Sequence, residues 1–127
     1  MKTEGYLLDT NILIYLLEGD AKVGHALDKL KQDVFYISVI SHFEFLVGQS
    51  DPKQLKNAQR KLSQFVPFDF RRSTAEHAAL LHKKINARAK LKDLFIAATA
   101  LEENLTLVTA DQDFKKIPGL SIHWYKP

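Results

Sequence analysis

Four acidic residues sit where carboxylates do chemistry: Asp9, Glu44, Asp93 and Asp111. Asp9 ends the apolar run Tyr6-Leu7-Leu8, and an apolar helical pattern begins straight after it. Asp111 follows the apolar run Leu105-Thr106-Leu107-Val108 at a similar boundary. Asp93 heads a stretch whose Leu94, Ile96, Ala97, Ala98, Ala100 and Leu101 cover most of a helix circumference. Glu44 lies among Val39, Ile40, Phe43, Phe45, Leu46 and Val47. A buried carboxylate there costs several kcal/mol unless a cation or a donor meets it. Each acid alone has a plainer explanation: a helix cap, an acid favoured by the helix dipole, or a turn residue. Held together, the four repel one another unless a cation neutralises them. Mg²⁺ or Mn²⁺ is the natural candidate, because hard divalent ions take carboxylate oxygens and keep waters. Such an ion activates a water as nucleophile, and a second one stabilises the leaving oxygen of a phosphodiester. Thr10, Asn11 and Thr109 place supporting polar groups beside the acids, as partners of ligand carboxylates or as caps. Whether Glu44 or Asp93 orients the attacking water stays open.

The surrounding elements must bring these residues to one edge. Short strands are expected at Tyr6–Leu8, Val34–Ile37, Phe65–Phe68, Leu105–Val108 and Ser121–Trp124, from their β-branched and aromatic content. Helices are expected over Asn11–Glu18, Ala21–Lys31, from Ser38 to about Val47, from Asp51-Pro52 to about Gln64, from Ser73 to about Ala89, and over Leu94–Glu103. Asp20, Ser38 and Asp51 read as caps, Ser73 with Glu76 as a capping box, and Asn104 as a left-handed helix end. Strands alternating with helices give an α/β fold: a three-layer α/β/α arrangement with a mainly parallel central sheet of four or five strands. In such a sheet the ligand crevice lies outside the carboxyl ends of the strands. Asp9 and Asp111 are therefore expected as neighbours despite about a hundred residues between them.

The 127 residues suit one domain, 1–127. With no cysteine there is neither a disulfide scaffold nor a thiolate metal site, which fits a reducing compartment. No apolar run approaches the ~18 residues of a membrane span, and no signal-like segment opens the chain. A cytoplasmic protein without membrane contact is expected. Charge is unevenly placed. From Lys53 to Lys92 eleven bases face two acids, a net +9; since the whole chain carries +3, the remainder sums to −6. A basic middle beside a separate acidic cluster suits a polyanion held against a metal site.

With these pieces in view, the chain resembles the PIN-domain ribonucleases, and within them the VapC-like toxins of toxin–antitoxin pairs. The resemblance rests on Leu8-Asp9-Thr10-Asn11-Ile12-Leu13-Ile14-Tyr15, and on Ile37-Ser38-Val39-Ile40-Ser41 through Glu44 to Gly48. It continues in Asp93-Leu94-Phe95-Ile96-Ala97-Ala98-Thr99-Ala100-Leu101, in Leu105–Thr109 running into Asp111-Gln112-Asp113-Phe114, and in Ile117-Pro118-Gly119-Leu120. It implies a PIN-like fold and Mg²⁺- or Mn²⁺-dependent endoribonuclease activity with Asp9, Glu44, Asp93 and Asp111 as the acidic site. It also implies an RNA substrate, a homodimer, and neutralisation by a cognate antitoxin protein. Two departures stand out. Residues 86–92 lack the glycine many relatives carry there, and both Asp111 and Asp113 are available at the fourth position. Asp111 is nearer the strand end, and Asp113 is given a supporting role.

Other residues carry less. The five histidines, His25, His42, His77, His82 and His123, are scattered without a zinc-like helical pair. Trp124 reads as a core or rim aromatic. Tyr15, Leu16 and Leu17 with Phe43, Phe45 and Leu46 exceed what one face of a small sheet must bury, so part of this set could groove a partner's helix. Competing readings are an RNA-processing nuclease without an antitoxin and a catalytically silent binding module. A phosphoacceptor domain fits poorly, since Leu8 stands where that class wants a second acid.

Overall fold

The computed structural model describes residues 3–85 and 89–127. The chain runs β1 (Tyr6–Leu8), α1 (Thr10–Leu17), α2 (Ala21–Asp28), α3 (Val39–Val47), α4 (Pro52–Leu62), α5 (Arg72–Lys84), α6 (Leu91–Glu102), β2 (Thr106–Thr109), a 3₁₀ turn (Gln112–Lys116) and β3 (Ile122–Trp124). The strands form one parallel sheet in the order β1-β2-β3, with Leu7 opposite Leu107 and Leu107 opposite Ile122.

This corrects the expectation of four or five strands. The segments predicted at Val34–Ile37 and Phe65–Phe68 form only single parallel bridges, Tyr36 to Leu7 of β1 and Phe68 to Ser38 beside it. The Tyr36 N–H donates to the Tyr6 carbonyl at 2.9 Å, and the Phe68 N–H to the Ile37 carbonyl at 2.9 Å. Each is cut short for a local reason. Ser38 caps α3, its hydroxyl accepting from the Ser41 N–H, so the chain turns helical at once. Pro67 has no N–H to add to a ladder.

Strand side chains alternate between faces, and two cores result. Leu7 and Leu107 face α5, α6 and the 3₁₀ turn, packing with Ala78, Leu81, Ile96, Ala97 and Phe114. Leu8 and Val108 face the other way, against Ile12, Leu13, Val23, Leu27, Phe45, Ala58 and Leu62 from α1 to α4. The arrangement is the three-layer α/β/α sandwich. Helix α6 is central as expected: Ala97, Ala98 and Ala100 are wholly buried. It ends as a Schellman turn, with Asn104 at φ +54° and the Leu105 N–H donating to the Ala100 carbonyl at 2.8 Å.

Some helix starts and ends move. Helix α5 begins at Arg72, not at a Ser73–Glu76 box, and the Thr74 hydroxyl accepts from the Arg71 N–H. Contacts with the end of α6 set this start: Thr74 Oγ1 donates to Glu102, and the Arg71 guanidinium to Glu103 at 2.6 Å. Helix α6 begins two residues before Asp93, which therefore sits in its first turn. Helix α2 stops at Asp28. The expected end of the fifth helix near Ala89, and the departure read in residues 86–92, fall partly on residues 86–88, outside the described residues. Among the described residues no helix is long and apolar enough to cross a membrane.

Candidate active site

The parallel register of β1 and β2 brings their carboxyl ends together, and Asp9 with them. The Asp9 N–H donates to the Val108 carbonyl at 3.0 Å. As the N-cap of α1, Asp9 accepts from the Thr10 N–H through Oδ1 at 2.8 Å. Its Oδ2 accepts from Thr109 Oγ1 at 2.7 Å. The Thr109 oxygen in turn accepts from the Asp111 N–H at 3.0 Å, so one hydroxyl ties both strand ends. Asp9 is buried. That burial raises its pKa; the bonds from Thr109 and Thr10 oppose the rise, and the Asp111 charge adds to it.

Asp93 reaches the same edge from α6, where it is only 5% exposed. Its Oδ2 is buried without a hydrogen-bond partner. Burial first, then repulsion by Asp111 and Asp9, pushes its pKa up to about 6. Asp93, Asp111 and Asp113 each bring an oxygen within 4.8 Å of the others. Asp111 Oδ1 accepts from the Asp113 N–H at 2.9 Å, which folds the 3₁₀ turn so that both acids face the site. A buried carboxylate oxygen that nothing satisfies, with two acids within reach, is a donor set that fits a hard divalent cation.

Glu44 is placed differently. It comes from α3, its side chain is 24% exposed, and it is outside that closest acidic group. Oε1 accepts from Thr10 Oγ1 at 2.6 Å, and Oε2 from Lys92 Nζ at 3.1 Å. Thr10 Oγ1 also lies 2.9 Å from the Ser41 hydroxyl, which is fully buried. The demand for a cation or donor at Glu44 is therefore met inside the chain. The bond to Glu44 holds the Lys92 ammonium above the ordinary lysine range. Sequence reasoning missed Lys92 and Ser41 here. Lys92 was counted only within the basic segment, although its place beside Asp93 was a usable signal.

An open cleft of about 270 Å³ leads to the acids, lined by Asp9, Asn11, Tyr15, Asp111, Tyr125 and Pro127 among others. Asn11 is exposed on its wall and bonds none of the acids. Thr10 and Thr109 bond Asp9, Thr10 also bonds Glu44, and Asp113 is itself one of the three closest acids. Among the apolar residues weighed for a groove, Phe45 is core, while Phe43 is 63% exposed and Tyr15 43%. The histidines form no metal-ligating group among the described residues.

Comparison with known proteins bears on this site. Residues 6–120 match the sequence profile of the PIN domain. The chain is 31% identical over 132 residues to Ribonuclease VapC2 of Rickettsia felis, covering 95% of this chain and 98% of that protein. It superposes on a toxin–antitoxin complex from Klebsiella pneumoniae with a TM-score of 0.81 at 32% identity, over 96% of this chain and 99% of the other. VapBC2 from Rickettsia felis, solved bound to a DNA fragment from its promoter, gives a TM-score of 0.80 at 30% identity over 96% and 99%.

Proposed function

The chain belongs to the PIN-domain family, and on that premise we propose that it is a Mg²⁺- or Mn²⁺-dependent endoribonuclease, the toxin of a toxin–antitoxin pair. The reading is carried by the group of Asp93, Asp111 and Asp113 with the unsatisfied buried oxygen of Asp93. Similarity to a ribonuclease and to toxin–antitoxin complexes supports it.

Asp93, Asp111, Asp113 and Asp9 are the residues that would hold the ion. A divalent ion there supplies the charge that activates a water nucleophile and steadies the leaving oxygen of an RNA phosphodiester. The chain's own residues prepare this. Thr109 and the Thr10 N–H fix both oxygens of Asp9, so its orientation does not depend on a ligand. Glu44, held by Thr10 and Lys92, forms the rim of the site and keeps the lysine ammonium beside Asp93. The bases between Lys53 and Lys92 draw the polyanion in from solution. In this reading residues 1–127 act as one domain in the cytoplasm, as a homodimer. The helix of a cognate antitoxin covers the apolar surface around Tyr15, Phe43 and Val47, each 43% exposed or more.

The test is cleavage of a mixed cellular RNA pool by purified, antitoxin-free protein, with Mg²⁺ or Mn²⁺, with EDTA, and with folded Asp9→Asn and Asp93→Asn variants. Discrete fragments that vanish with EDTA and in both variants are expected. Variants that cut as well as the parent overturn the assignment of the acids. Expression in cells should arrest growth, and co-expression of the neighbouring antitoxin gene should relieve the arrest.

A further inference from the structure

A second cleft opens on the far side of the C-terminal tail. It lies between α2 and residues 123–127, holds about 450 Å³, and is lined by Lys22, His25, Lys29, His123, Tyr125 and Lys126 among others. No acidic residue lines it. Lys22, Lys29 and Lys126 are exposed, and none forms an ion pair among the described residues. Ala26 from α2, Leu30 just past its end and Tyr125 add apolar surface beneath these cations.

This cleft and the acidic site lie on two sides of one tail. Tyr125 and Pro127 line both clefts, so the tail is a shared wall. The Tyr125 N–H donates to the Thr109 carbonyl at 2.8 Å, which fastens that wall to the residue holding Asp9. A single strand of RNA lying over Asp9 and Asp111 meets the lysines as soon as it passes the tail. Acids repel the phosphates that flank the cleaved bond, so the adjoining cationic surface has to anchor them. Lysines around an apolar and aromatic floor are the chemistry that holds single-stranded nucleic acid, with cations on phosphates and rings against bases.

We propose that this cleft is a nucleotide subsite, which binds a base and its flanking phosphates in the RNA strand next to the cleaved bond. The proposal rests on the ribonuclease reading above and deepens it. The cleft carries positioning residues, not catalytic ones.

The test uses metal-free full-length protein in EDTA, titrated into single-stranded hexauridylate. The hexauridylate carries a 3′ fluorescein, and its anisotropy reads binding. A saturable rise in anisotropy is expected in the parent. In a Lys22→Ala/Lys29→Ala variant with parental melting temperature, affinity should fall. Losing two phosphate contacts, each worth a slope of about 0.7 on single strands, should also shrink the affinity change between 50 and 200 mM salt by about sevenfold. Parental affinity and salt response in that variant overturn the subsite. Equal displacement of the labelled RNA by hexaglutamate overturns it too, and points to an acidic protein segment as the occupant. Cleavage is read separately with Mg²⁺ or Mn²⁺. A protein that shows lysine-dependent RNA binding but cuts nothing keeps the cleft as a nucleotide site and overturns the ribonuclease reading. A lysine variant that cuts with parental kcat/KM overturns the subsite and keeps the ribonuclease.

Discussion

Replacing Asp93 with asparagine should stabilise the metal-free protein. Asp93 is buried in the first turn of α6 with one oxygen unsatisfied, and its pKa stands at about 6 against 3.8 for an ordinary aspartate. Between those two values the folded state holds a proton that the unfolded state has lost. Folding stability therefore falls as pH rises through this window, and above pH 6 the full cost is present. At about 1.4 kcal/mol per pH unit the lift corresponds to about 3 kcal/mol. Part of it is repulsion from Asp111 and Asp9, which salt screens, leaving roughly 2 kcal/mol at 0.15 M ionic strength. Asparagine keeps the shape and carries no charge. For a chain of this size Asp93→Asn should raise the melting temperature by roughly 6–10 °C at pH 7.5 in EDTA. The advantage should shrink steadily as pH falls from 6 towards 4. Thermal unfolding followed by circular dichroism across that range reads both effects. Millimolar Mg²⁺ should stabilise the parent and not the variant, narrowing or reversing the gap. An asparagine variant less stable than the parent at pH 7.5 in EDTA, or a gap that does not change with pH, refutes the reasoning.

Thr109→Val removes the hydroxyl that donates to Asp9 and accepts from Asp111; Mg²⁺ affinity by calorimetry, or cleavage rate, should fall about 10- to 100-fold. Lys92→Met removes the ammonium beside Glu44, Asp93 and Asp9; divalent-ion affinity should rise roughly three- to tenfold, with unfolding in urea changed by less than about 1 kcal/mol because the pair is part exposed. Phe114→Ala empties a position only 1% exposed between the 3₁₀ turn and the sheet, and urea unfolding should show a loss of about 3–5 kcal/mol.

Much of this was legible because the local signals agreed. Leu8-Asp9-Thr10 showed an apolar run, a capping acid and a helical pattern in three residues, and β1, the cap and α1 followed. The apolar circumference of α6 and Asn104 after it fixed both the central helix and its end. The second and third expected strands read as strands by composition, but Ser38 and Pro67 limit them to one bridge each. Propensity sees side chains and does not see where a ladder runs out of donors. The edge argument joined Asp9 to Asp111 across a hundred residues, because parallel strands leave little freedom there. The pairing of Lys92 with Glu44 spans 48 residues between two helices whose relative placement no local pattern encodes. Nearness to the strand end favours Asp111 in the sequence and gives Asp113 the lesser place. The 3₁₀ geometry turns both carboxylates the same way.

The acids at this edge differ in what already satisfies them. Asp9 has two donors, Glu44 has a hydroxyl and an ammonium, and Asp111 bonds the backbone of its own turn. Asp93 Oδ2 has nothing. Lys92 is the ammonium that the cluster holds, against five carboxylates counting Asp113. The metal-free edge is thus strongly negative and should reject a phosphate backbone. A cationic surface adjoins it across the C-terminal tail, in the cleft lined by Lys22, Lys29 and Lys126. RNA can be held there whether or not the acids are neutralised, but a phosphate can settle over Asp9 and Asp93 only once their charge is offset. The unsatisfied oxygen of Asp93 is where that offset gains most. The group that costs the fold most is therefore the one whose satisfaction admits the substrate.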